Sequence, residues 1–337
     1  MDGNMAVFRT PPQHPPFRVA PQALFYYLTP DSVTHDDIDE DWEGLEISTP
    51  VQGLDELQRG IPEIRSLVQG LSHWNQGVAV TQLCGLHIHV GDQNGLTLDL
   101  AKRIVTLVVL LEEDLLFRLV SSDRQESEYF LPITHTSRMA LYADSKDSTD
   151  EPVLTNILPP GHEQGRWWSV SGHKIGHILQ VLWQCPNLDS LEGGLISPKI
   201  ERGWKSSLFL AMRLKSDSVS GDDDDDDEND PVTSSIEFRY PQMSFDSDFV
   251  QMWVEVATRI VEVAGQTEDR TYQRVVRNVL GHLDRIESTN IVPQLLVALG
   301  FDRATINRWG QMVARHDEGQ DPTLIGSGPY RKLRSDL

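Results

Sequence analysis

Apolar residues recur along this chain with two periods: a two-residue alternation in short stretches up to Tyr240, and a helical spacing that takes over after Asp248. Alternation bounded by turn residues predicts strands at 24–28, followed by a turn at Thr29, Pro30 and Asp31, and at 44–51, 84–91, 205–214 and 234–240. Leu54, Leu57, Ile61, Ile64, Leu67, Val68 and Leu71 predict a helix over 54–70 with an interruption near Pro62. A wide apolar stripe through Ile104, Leu107, Val108, Leu111 and Leu115 predicts a helix over 99–119, capped by Thr97 or Asp99. Further helices are expected over 175–183, 248–264, 270–287, 291–300 and 303–315. Residues 121–165 mix Ser, Thr, Asp and Pro and read as loops with short elements.

Composition refines this pattern at the edges. With 337 residues, 39% hydrophobic and 24% charged, the chain is long and apolar enough to bury a large core. Pro11, Pro12, Pro15, Pro16 and Pro21 make residues 1–22 an expected extended tail. Asp222 to Asp227, Glu228 and Asp230 form an acidic run, read as a solvated insertion over 216–232 in a hairpin connection. That run supplies eight charges of the net -22. The remaining surface is still acidic, which disfavours nucleic acid as a partner and favours cations and amine-bearing molecules. Only Cys84 and Cys185 are present, and no stretch reaches the ~20 apolar residues of a membrane span, so a soluble cytoplasmic protein without disulfides or membrane contact is expected.

Candidate chemistry lies on three of the predicted strands. In Cys-Gly-Leu-His-Ile-His-Val-Gly (84–91), alternation puts His87 and His89 on one face and Leu86, Ile88 and Val90 on the other. In Ser-Ser-Ile-Glu-Phe-Arg-Tyr (234–240), Glu237 and Arg239 share a face opposite Ile236, Phe238 and Tyr240. In Trp-Glu-Gly-Leu-Glu-Ile-Ser-Thr-Pro (42–50), Glu46 and Ser48 alternate with Leu45 and Ile47. If these strands neighbour each other in one sheet, a cleft of carboxylate, imidazole and guanidinium groups results.

The segments G-L-E-I-S-T-P, C-G-L-H-I-H-V-G and S-I-E-F-R, in that order, resemble the signature segments of the putative amidoligases, relatives of glutamine synthetase and glutamate-cysteine ligase. The helix carrying Glu113, then Arg124 and the stretch from Tyr129 to Ile133, follow the histidines as in that family. The resemblance spans about Leu24 to Gly265. The strands and long helices together read as an α+β fold, a mostly antiparallel sheet over 23–265 with helices on one face and a C-terminal helical extension over 266–337 that ends flexibly. The resemblance implies that the sheet is curved and of the glutamine synthetase catalytic-domain type. It implies ATP-dependent amide formation through an acyl phosphate, from small-molecule or peptide carboxylate and amine substrates. By the same resemblance Glu46, His87 and Glu237 would hold magnesium, His89, Arg239 and Ser48 would contact ATP, and Arg239, His89 and Arg124 would be catalytic.

Relatives usually begin with a strand bearing a Glu-x-Glu pair, and nothing before Phe25 matches it; Asp31, Glu43 and Glu113 are the acids that could complete the set. A catalytically degenerate relative acting as a binding module is one alternative reading. A zinc hydrolase is another, because His173 and His177 lie four apart on a predicted helix and could join His87 and His89.

Overall fold

Side chains that alternate in the sequence do pair in sheets, but in two separate ladders. The computed structural model describes residues 27–31, 44–72, 84–92, 95–125, 130–146, 157, 173–197, 212–215, 235–266, 269–284 and 291–317. β1 (Tyr27–Asp31) and β2 (Gly44–Ser48) form a two-stranded antiparallel ladder. β1 thus runs through the expected turn at Thr29, Pro30 and Asp31. Pro30 can lie in it because an edge strand tolerates a residue without an N–H on its unpaired side.

After α1 (Leu54–Gln58) the chain turns through Gly60 and Ile61, both at positive φ, and restarts as α2 (Pro62–Ser72). Proline opens α2 because its missing N–H is one that a first helical turn leaves unpaired anyway. β3 (Ile88–Gly91) follows, shorter than the expected 84–91, with Gly85 making only an isolated bridge to Gln242.

α3 (Leu98–Leu111) is capped by Thr97, whose hydroxyl accepts from the Leu100 N–H at 3.2 Å. It continues into a π-helical turn (Glu112–Leu116) and a 3₁₀ turn (Phe117–Leu119). Ten of its residues are buried, so it is a central core helix with no broad solvent face. Even Lys102 is buried; its stem lies in the core and Nζ donates to the Trp183 carbonyl at 2.9 Å.

Short helices occupy much of the region read as loop: α4 (Ser122–Gln125), α5 (Ile133–Thr136) and α6 (Arg138–Asp144). α7 (His173–Gln184) and α8 (Leu188–Leu195) come next, α8 being capped by Asn187. β4 (Met212–Lys215) and β5 (Ser235–Phe238) then join β3 in an antiparallel sheet ordered β3-β5-β4. The tail over 1–22 and the acidic run lie outside the described residues.

The chain ends in α9 (Ser247–Ala264), α10 (Asp269–Leu283), α11 (Val292–Leu299) and α12 (Arg303–Asp317). These helices share one core with the sheet: Ile88 and Phe238 from the strands belong to the same buried cluster as Val279, Leu295 and Trp309. An aromatic series ties them together. Tyr240 stacks on Trp253 with ring centres 6.4 Å apart, and Trp253 meets Trp309 edge-on at 5.7 Å. The fold is therefore mixed α+β, dominated by helix, with a small antiparallel sheet. No helix among the described residues is long and apolar enough to cross a membrane.

Gly300 ends α11 at φ +85°. Its carbonyl and that of Leu299 accept from Arg259, at 3.5 and 2.8 Å. Gly300→Ala is expected to cost about 1–2 kcal/mol, since a side chain is disfavoured in this left-handed conformation; urea unfolding of the two proteins measures it.

Candidate active site

The sheet places two distant segments side by side. β3 and β5 pair antiparallel with His89 opposite Glu237 and Ile88 opposite Phe238. Backbone bonds extend the contact past the strands: Leu86 N–H donates to the Pro241 carbonyl at 2.9 Å and Met243 N–H to Cys84 at 2.8 Å. Alternation then sorts the faces. Ile88, Ile236 and Phe238 are buried in the core, while His87, His89, Glu237 and Arg239 gather on the other side.

Glu237 sits at the centre and is only 1% exposed, because its neighbours close over it. Its Oε1 lies 3.3 Å from His87 Nδ1, 3.4 Å from His89 Nε2 and 3.7 Å from Arg239 Nε. Arg239 also reaches the far side of the His87 ring, Nε donating to Nε2 at 3.2 Å with Nη2 at 3.1 Å. A guanidinium can only donate, so His87 Nε2 must accept and the ring proton sits on Nδ1, facing the carboxylate. His87 is thus a neutral imidazole held between a cation and an anion. His89 turns its Nδ1 to the Ser235 hydroxyl, 3.4 Å away.

Burial first, and then the Arg239 guanidinium, push the pKa of His87 down to about 3, against the pull of Glu237 in the other direction. The unfolded chain takes up this proton near 6.5, so between these two values acid favours the unfolded state and this residue's contribution to stability is lost as pH falls. Urea unfolding at about pH 4.5 and about pH 7.5 should show a smaller difference in His87→Gln than in the parent protein. An equal difference in both would mean that the fold does not hold His87 neutral.

Arg124 approaches from α4 and is 2% exposed. Its Nη2 donates to the Arg239 carbonyl at 3.5 Å. Burial and the repulsion of Arg239 lower its pKa to about 10, which leaves it a cation at neutral pH. Gly85 makes this crowding possible: a Cβ there would lie 2.9 Å from His87 Nε2 and 3.1 Å from Arg124 Nη2. Among the described residues two guanidiniums and one carboxylate meet on this face, donors that suit an anion.

Glu46 and Ser48 do not lie on this sheet. They sit on β2, which pairs with β1 alone, and Glu46 is exposed. The expectation of one shared sheet therefore applies to two of the three strands, because alternation fixes which side chains share a face and not which strand lies next door. Of the acids that could complete a ligand set, Glu113 is exposed and lies 3.8 Å from His135, the side chain of Asp31 is not described, and Glu43 lies outside the described residues. His173 and His177 lie on α7, which packs on α6 and α3, with His177 buried.

Magnesium prefers about six oxygen ligands in octahedral array. Glu237 is the one carboxylate among the side chains just described, its Oε1 faces two imidazoles and a guanidinium, and no group of three or more His, Cys, Asp or Glu among the described residues is arranged to hold a metal. These residues therefore do not fit a magnesium site, nor the zinc site of a hydrolase. Sequence reasoning missed Gly85, whose value is the space it leaves. No protein family, curated protein or solved structure gives a significant match to the chain.

Proposed function

We propose that this chain is a carboxylate–amine ligase of the glutamine synthetase type, or descends from one, and that the face built by His87, His89, Glu237, Arg239 and Arg124 receives the anionic group of its substrates. The observation that carries this reading is the register pairing of His89 with Glu237, which brings two of the three segments of the family resemblance onto one polar face. In the overall reaction the carboxylate oxygen takes the terminal phosphoryl of ATP and ADP leaves; the amine nitrogen then forms the C–N bond as the carbonyl–oxygen bond to phosphate breaks. Arg239 would stabilise negative charge on the transferring oxygens, with Glu237 and His87 holding its guanidinium in place. No step is assigned to a metal. The remaining site residues proposed from the resemblance, Glu46 and Ser48, and the curved sheet of the glutamine synthetase type belong to this proposal too.

Phosphate release from ATP, followed with pooled carboxylates and amines, tests it: release should require both an acid and an amine. A second reading, a binding module without turnover, is favoured by Glu237 being the one carboxylate on the face among the described residues. It predicts nucleotide binding in calorimetry with no phosphate release under any acid and amine mixture. Failure to bind nucleotide at all would sink both.

A further inference from the structure

A second feature suited to anions lies among the C-terminal helices, on residues that the proposed ligase face does not use. α9, α10 and the end of α11 enclose an open cleft of about 300 Å³. Its described polar lining consists of Arg259, Gln266, Thr271, Arg274 and Asn278, with no Asp or Glu among the described lining residues. Each of these side chains can donate a hydrogen bond. In a protein of net charge -22, a cleft whose described polar lining consists of donors stands out, with Glu262 beside it paired to Arg259.

Arg259 is already committed, to the Leu299 carbonyl at 2.8 Å and to Glu262 at 3.1 Å. Arg274 is not: it is exposed and makes no hydrogen bond or ion pair with another described residue. Arg270 and Arg277 lie one turn to either side on α10, at i-4 and i+3, and are equally without described partners. Arg274 thus has a like charge one turn away on each side, and an anion bound to it relieves that repulsion. Val275, Leu299 and the 58%-exposed Val297 supply an apolar wall beside them.

We propose that this cleft binds a small organic anion, a phosphate or carboxylate head on an apolar body, with Arg274 taking the head and the valine wall the body. A planar guanidinium matches both heads through paired hydrogen bonds. The volume lies at the lower end of ligand sites, which suits a compound of about ten heavy atoms rather than a nucleotide.

Calorimetric titration of the full chain with phenyl phosphate, benzoate and benzyl alcohol tests it. The two anions should bind, the one with the better head tighter, while the neutral alcohol does not. Arg274→Ala should weaken anion binding about tenfold or more. Lys174→Ala, which removes a cation of α7 outside both sites, should bind as the parent does, and any anion binding left in Arg274→Ala should be abolished by adding Arg239→Ala, so that either proposal can fail alone. No binding to the parent protein, equal binding by Arg274→Ala, or an equal loss in Lys174→Ala would overturn the assignment.

Discussion

Arg239→Ala is expected to lower acid- and amine-dependent phosphate release by about 100- to 1,000-fold, the effect typical of losing one preorganised charge-stabilising group. The size follows from the position of the side chain. Arg239 is 13% exposed and meets both the Glu237 carboxylate and the His87 ring, so its guanidinium is already oriented before any substrate arrives. Preorganisation of this kind acts mainly on kcat, with KM for ATP changing less. Arg239→Lys should restore little, because an ammonium cannot present two nitrogens in one plane to His87 Nε2 as Nε and Nη2 do. In a binding module without turnover the same variant is read through nucleotide affinity. An Arg239→Ala protein with an unchanged melting temperature, unchanged phosphate release and unchanged nucleotide affinity would remove the proposed role.

The largest effect on stability should come from a carboxylate that no substrate touches. Glu112 is fully buried at the start of the π-helical turn. It accepts from the backbone N–H groups of Ile133 at 2.9 Å and Thr134 at 2.7 Å, from the Tyr240 hydroxyl at 2.6 Å and from the Thr134 hydroxyl. Burial outweighs these donors and holds its carboxyl above the ordinary range. The same carboxylate that caps α5 therefore anchors the residue directly after Arg239. Glu112→Ala would strand two buried N–H groups that have no room to turn elsewhere, and each such group costs about 1–3 kcal/mol. A loss of about 3–5 kcal/mol in urea unfolding is expected. Tyr240→Phe should lose about 1–2 kcal/mol, and the double variant less than the sum, because both changes break one network. Additive losses would mean that Tyr240 and Glu112 act independently.

The strands that build the candidate site were legible because their alternation is clean. Ile88 and Phe238 point into the core and His89 and Glu237 away from their apolar neighbours' side, as a two-residue period requires. Glu46 shows the limit of that signal. Its own alternation is just as regular, yet β2 pairs with β1, and nothing in a strand's side-chain pattern names its partner. The long helices were legible from their stripes, including α9 and α12. α4, α5, α6 and α8 run for four to eight residues, too short for a helical period to repeat convincingly. α6 and α8 are held by their ends instead, by Ser137 accepting from the Ala140 N–H and Asn187 from the Ser190 N–H. The value of Gly85 is a distance between two side chains that only the folded chain brings near.

The aromatic series from Tyr240 through Trp253 to Trp309 has a consequence for synthesis on the ribosome. The strand bearing Glu237 and Arg239 rests on a floor that α12 completes, since Trp309 is wholly buried against Trp253 and Phe249. A nascent chain arrested before residue 309 has left the exit tunnel would hold every residue of the candidate site and still lack the packing that fixes it. The site should consequently mature late, and a chaperone that shields apolar surface would have its longest engagement with the segment from α9 onward.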